Sequence, residues 1–351
     1  MMKINLKHLF LLFFSFLLIL TSCSVPPSRF ERCLGTVCIV NLFKDGTDDN
    51  YDEIFARLRQ IHNEFSIGNP ESDITRINTK AFLEPVPVSD DVFSVIECAL
   101  LISSLSEGDF DITVEPLVSL WHINTDSPHV ATQEEINSLL PLIDYKNIVL
   151  DHQNKTVRFL KKDMLIDFGG IAKGFAADEI IKICQKKKIR KAVIDLGGNI
   201  YVHGKKSKKE LWNVGVKDPE FPDSVPLLRL SLPETSVVTS GVYERFFKDG
   251  EKRYHHILSP KTGFPADNNL YSVTVICENS MVADALSTAF FVLGKEKTLN
   301  KLPDFNEKLK SVYSDISDIS VIFIEADQRI TLSENFPFEC VVLIPDWEIQ
   351  Q

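Results

Sequence analysis

Asn279-Ser280-Met281-Val282-Ala283-Asp284-Ala285-Leu286-Ser287-Thr288-Ala289-Phe290-Phe291-Val292-Leu293-Gly294 is an apolar run interrupted by a carboxylate and a hydroxyl. Val282, Ala285, Leu286, Ala289, Phe290 and Leu293 recur at helical spacing, which predicts a helix with one face in the core. Ser280 stands where an N-cap belongs and Gly294 where a helix stops. Asp284 and Thr288 are four residues apart, so they share a face. Two hard oxygen donors held this way suit Mg²⁺ carrying a phosphate. An Asp and a Thr on a helix flank can equally bond neighbouring backbone, and the segment alone leaves both readings open.

Upstream, the pattern predicts a strand at 36–43, a helix at 51–65, a polar loop at 66–72 and a helix at 90–106. Thr132-Gln133-Glu134-Glu135 is a capping box opening a short helix that Pro141 ends. Strands are expected at 148–150, 156–159 and 164–167, then a helix at 173–184. Further strands are expected at 192–196, 199–203, 212–216, 227–232, 236–239, 254–258 and 271–277 before the opening helix. Three more, at 321–325, 329–332 and 341–343, follow it. The fold class is therefore mixed α/β, with a largely antiparallel sheet and packed helices. Strand and helix do not alternate regularly, which disfavours a doubly wound dinucleotide fold.

The chain opens with Lys3 and Lys7, an apolar run from Leu9 to Leu20, and Leu20-Thr21-Ser22-Cys23. This is the form of a secretory signal whose cut site ends in Cys, the bacterial lipobox pattern. The expectation is a lipoprotein signal peptide at 1–22, a tether at 23–33 lipidated on Cys23, and one domain at 34–351. It carries a periplasmic location on a bacterial membrane. Net charge is −11, from Lys+Arg 38 against Asp+Glu 49, which argues against general nucleic-acid binding. The cysteines after Cys23 are scattered, with no C-x-x-C spacing for zinc or a redox pair.

Four other segments bear chemistry. Asp167-Phe168-Gly169-Gly170-Ile171-Ala172-Lys173-Gly174 joins a predicted strand to a predicted helix. Its glycines allow close backbone approach, and Lys173 adds positive charge at a helix start. It is not a Walker P-loop. Tyr254-His255-His256-Ile257-Leu258-Ser259-Pro260 puts two histidines on opposite sides of a strand, so one can face a cleft. That one can take a proton from a hydroxyl or cap the following turn. Asp109-Phe110-Asp111 can cap a turn or meet a base or ribose, and Phe110 can stack or fill core. Thr239 to Arg245, with Glu244, places hydroxyls and a carboxylate at a strand end.

Together with Leu34-Gly35-Thr36, 72–78 and Leu196-Gly197-Gly198, these segments run in one order and resemble the ApbE family, the bacterial flavin transferases. The resemblance implies a T-fold-related architecture that holds FAD in a cleft with Mg²⁺ near its diphosphate. It implies metal ligation by Asp284, Thr288 and the Gly170 carbonyl. It places Leu34, Gly68, Asp109, Phe110, Asp111, Lys173, Glu244, His256 and Ile257 around FAD, with His256 and Asp284 in the chemistry. The implied reaction moves FMN from FAD to a Thr or Ser hydroxyl of a target protein and releases AMP. Targets would be exported flavoprotein subunits of redox pumps, related to Na⁺-translocating quinone reductase (Nqr) or Rnf complexes. Departures stand at Gly68, where the family carries an aromatic, and at Leu34, Glu115 and Val242. Gly68 raises the alternative of Mg²⁺-dependent FAD hydrolysis to FMN and AMP. A flavin-binding lipoprotein without turnover is the remaining reading.

Overall fold

The structure is a computed structural model and describes residues 28–123 and 125–350. Cys23 and the signal segment lie outside the described residues.

In chain order the elements are β1 (Arg29–Cys33), β2 (Thr36–Asn41), α1 (Asp48–Phe65), α2 (Asp73–Lys80), β3 (Val86–Pro87), α3 (Asp90–Leu105), α4 (Glu115–Trp121) and α5 (Gln133–Leu139). Next come β4 (Ile148–Asp151), β5 (Thr156–Phe159), α6 (Ala172–Lys186), β6 (Lys191–Leu196), β7 (Asn199–Gly204), β8 (Trp212–Val216), β9 (Leu228–Leu232) and β10 (Thr235–Gly241). The chain closes with β11 (Phe246–Asp249), β12 (Lys252–His255), β13 (Leu270–Cys277), α7 (Ser280–Leu293), α8 (Lys295–Val312), β14 (Ser320–Glu325), β15 (Arg329–Leu332), β16 (Glu339–Val342) and β17 (Glu348–Gln350).

A nine-stranded sheet in the order β1-β2-β6-β7-β10-β13-β14-β15-β17 organises the molecule. Its pairs are antiparallel except β15 with β17. Period-two alternation assigns its faces. In β14, Val321 and Phe323 face a core shared with α1, α3, α6, α7 and α8, while Ile322 and Ile324 face the three-stranded sheet β16-β9-β8. Burial on both faces explains why Val321-Ile322-Phe323-Ile324 reads as an unbroken apolar run. A third cluster, with Leu117, Trp121, Ile136 and Tyr254, joins α4 and α5 to β12.

Several sequence expectations need correction. Residues 29–33, expected as the end of a tether, form β1 and pair with β2 in full register, from Arg29↔Val40 to Cys33↔Thr36. Cys33 turns into the core, and that burial fixes the strand. Residues 164–167 are no strand. The Asn78 amide takes the place of a neighbouring chain, accepting from Ile166 N–H at 2.8 Å and donating to its carbonyl at 3.0 Å. Strand β12 stops at His255 instead of reaching Leu258. The N-cap of α7 is Asn279, whose side chain accepts from Val282 N–H at 2.9 Å; Ser280 is instead buried against Asn199 and Ser236. Helices α2, α4 and α8 were not anticipated, and α8 carries Pro303 inside it. The six described cysteines are free, five of them buried.

A cleft with a buried aspartate between two helices

Helices α6 and α7 cross closely because residue 174 has no side chain. A Cβ there would stand 2.2 Å from the Ser280 carbonyl oxygen and 2.7 Å from Asp284 Cβ. The contact is held by reciprocal bonds. Asp284 Oδ2 accepts from Gly174 N–H at 2.9 Å, while Asp178 of α6 accepts from Ser280 and Met281 N–H, both at 2.9 Å. These donors belong to the first turns of α6 and α7, where backbone N–H groups have no intrahelical partner. Burial nevertheless pushes the Asp178 carboxyl up to about 7.

Asp284 is 3 % exposed and opens into a cleft of about 740 Å³, within the usual range of small-molecule sites. Its Oδ1 faces Lys173 Nζ at 3.3 Å. One turn further along α7, Thr288 Oγ1 lies 3.3 Å from Ser240 Oγ, which also meets Ser287 Oγ at 2.8 Å. A Cβ on Gly170 would sit 3.3 Å from Thr288 Oγ1, so only glycine brings this backbone against the hydroxyl without crowding. Asp284, Thr288 and Gly170 thus converge. Their donor atoms are hard oxygens, and an ammonium already occupies the carboxylate's cation position, so the residues fit a small divalent cation. Among the described residues no three His, Cys, Asp or Glu side chains could hold a metal together. Such an ion would draw its remaining ligands from substrate and water, the usual habit of Mg²⁺.

The adjacent histidines divide as strand alternation suggested, though β12 ends between them. His255 Nδ1 accepts from Ile257 N–H at 3.3 Å and Nε2 donates to the Ala266 carbonyl at 3.0 Å. Both nitrogens are used, and the ring packs edge-on against Phe291. His256 lines the cleft. Its backbone N–H and its ring Nδ1 both donate to the Arg245 carbonyl, each at 3.1 Å. That tautomer leaves Nε2 as an acceptor. Burial, reinforced by the Arg245 charge, lowers its pKa to about 3, so the ring is neutral at ordinary pH.

Asp109, Phe110 and Asp111 all line the cleft, with the Phe110 ring beside Gly170. Asp109 pairs with Lys261 Nζ at 2.8 Å. Asp111 is committed to structure: Oδ1 accepts from the Thr113 N–H and hydroxyl, and Oδ2 from Tyr145 N–H. Leu34, Glu244 and Ile257 also line the cleft, and Glu244 binds Lys217 Nζ at 2.8 Å. Gly68 does not. It lies beyond Phe65 and Ser66, which do, and a Cβ there would meet only Ser66 Oγ, at 3.8 Å. The residues expected around one ligand therefore meet in one cleft apart from Gly68.

His62, Asp167 and Arg245 also line it, and sequence reasoning gave none of them a role of its own. Asp167 receives Gly169 N–H at 3.0 Å, and burial raises its carboxyl above the ordinary aspartate range. Arg245 was visible at the end of the Thr239–Arg245 segment, next to the residue singled out.

The fold and the cleft define an α/β protein with an anion-compatible, oxygen-lined site at a Gly-rich helix start. The model of the ApbE family matches residues 34–312. The chain is 33% identical over 323 residues to the FAD:protein FMN transferase of Treponema pallidum, covering 87% of this chain and 86% of that one. It is 35% identical over 281 residues to a Klebsiella pneumoniae protein of the same name, covering 80% and 83%. The crystal structure of the Thermotoga maritima ApbE protein superimposes with a TM-score of 0.77 at 32% identity, covering 88% of this chain and 97% of that one. The chain belongs to the ApbE family.

Proposed function

We propose that this protein transfers FMN from FAD to a Ser or Thr hydroxyl of a protein acceptor, releasing AMP, with Mg²⁺ held by Asp284, Thr288 and the Gly170 carbonyl. The observation that carries the reading is the meeting of this oxygen triad, Lys173 and the free His256 Nε2 in one cleft. Bound Mg²⁺ would supply charge neutralisation at the diphosphate. The acceptor oxygen attacks the FMN phosphorus and the bond to the bridging oxygen breaks, its electron pair leaving with AMP. The hydroxyl proton passes to His256 Nε2, the ring's open acceptor because Nδ1 carries the proton donated to the Arg245 carbonyl. Lys173 adds positive charge where the diphosphate must lie. The lipobox at Cys23 supports a lipid-anchored, periplasmic enzyme acting on exported flavoprotein subunits of the Nqr or Rnf kind.

Incubation with FAD and Mg²⁺, with and without an acceptor domain, tests the reading. Transfer gives AMP and an acceptor band that fluoresces in a denaturing gel only when both proteins are present. AMP released at an equal rate without acceptor identifies a hydrolase and overturns it; FAD left intact in both arms identifies a carrier.

A further inference from the structure

The cations around the cleft are not equivalent. Lys173 faces Asp284 at 3.3 Å, Lys217 faces Glu244 at 2.8 Å and Lys261 faces Asp109 at 2.8 Å. Each is partly neutralised by its carboxylate. Arg245 lines the same cleft, and among the described residues it forms no salt bridge. Its side-chain bond runs from Nη2 to the Gly35 carbonyl at 3.2 Å, a contact that uses one donor and cancels no charge. That carbonyl belongs to the turn joining β1 to β2, where Leu34 and Gly35 have φ of 52° and 70°, the left-handed pair of a tight hairpin. A Cβ on Gly35 would stand 3.4 Å from Nη2, so the turn supports the guanidinium closely. The remaining guanidinium donors stay available, and the side chain is exposed. Its field reaches the cleft, opposing the rise that burial imposes on the Asp167 carboxyl and adding to the fall that burial imposes on His256. A planar, permanently charged fork with unused donors suits phosphate oxygens better than any carboxylate-paired lysine nearby.

Building on the flavin-transfer reading, we propose that Arg245 binds a phosphate of the dinucleotide's diphosphate, and that the β1–β2 turn holds it in place for that purpose. The test is equilibrium binding of four probes, AMP, FMN, adenosine and riboflavin, to the parent protein, Arg245→Gln and Arg245→Lys, each checked for an unchanged thermal melt. Arg245→Gln should weaken AMP, FMN or both by roughly tenfold to a hundredfold, the loss expected for a charged hydrogen-bonded pair. Adenosine and riboflavin should bind as before, and Arg245→Lys should recover part of the loss. The affected nucleotide reveals which phosphate is held. Unchanged AMP and FMN binding in Arg245→Gln would overturn the assignment, as would an equal loss of the two phosphate-free probes. A parent protein that bound none of the four would instead sink the flavin-transfer reading and this one with it.

Discussion

The nine-stranded sheet is covered on both faces, and the two covers differ in what they allow to be buried. Against the β16-β9-β8 sheet the contact is apolar: Val214, Leu228, Leu230, Ile322 and Ile324 meet with Trp212 and Trp347. Against the helices the same strands adjoin a layer that also buries Asp284, Ser280 and Ser287 and half-buries Asp178. The difference follows from backbone bookkeeping. Strand N–H groups go mainly to ladder bonds, whereas helix first turns carry spare donors. Gly174, Ser280 and Met281 give theirs to the two carboxylates. The cleft opens on the side where helix starts solvate charge.

The largest expected effect breaks that contrast at its centre. Asp284→Ala should cut FAD turnover roughly a thousandfold or more while the protein stays folded; steady-state rates beside a far-UV spectrum would read it. Leu230→Ala on the other face should do the reverse. It should cost about 2–5 kcal/mol in denaturant unfolding and leave turnover of the folded protein nearly unchanged.

The paired histidines sharpen the comparison within the helix-covered side. His256→Gln should lower kcat by roughly 10²–10⁴ with little change in stability. His255→Gln should spare kcat and cost about 1–2 kcal/mol, because both ring nitrogens of His255 are bonded. Equal kinetic losses in the two variants would remove the division of labour.

The smallest effect concerns Glu115, which is 6 % exposed, takes a 2.6 Å bond from Ser119 and is pushed by burial up to about 7. The folded chain keeps this proton between about pH 4.5 and 7 while the unfolded chain releases it. Stability from this group therefore falls as pH rises through that window and is flat above it. Relative to the parent, Glu115→Gln should gain about 1–2 kcal/mol between pH 6 and pH 8 in chemical denaturation.

Much of this was legible in residue order. Helical period placed Asp284 and Thr288 on one face, and strand alternation separated His255 from His256 although β12 ends between them. What escaped lacked local signals. Helix α8 starts directly after Gly294 with no side-chain cap and carries Pro303, so composition argued against it. Strand β1 exposes Phe30 and Arg32, and its assignment depends on pairing with β2. The role of Asp111 was undecidable until Tyr145, 34 residues away, supplied a donor. The place of Arg245 depends on Gly35, 210 residues distant, and on Asp109, Glu244 and Asp284 pairing with lysines instead.

The crossing at Gly174 has a consequence for redesign. The atoms a methyl would strike there include the backbone carbonyl of Ser280, which no rotamer change can clear. Enlarging that residue would force two whole helices apart and carry the aspartate with them. Efforts to retune substrate choice would do better at Glu244 and its lysine partner, which line or adjoin the cleft from loops that can shift without prising the frame open.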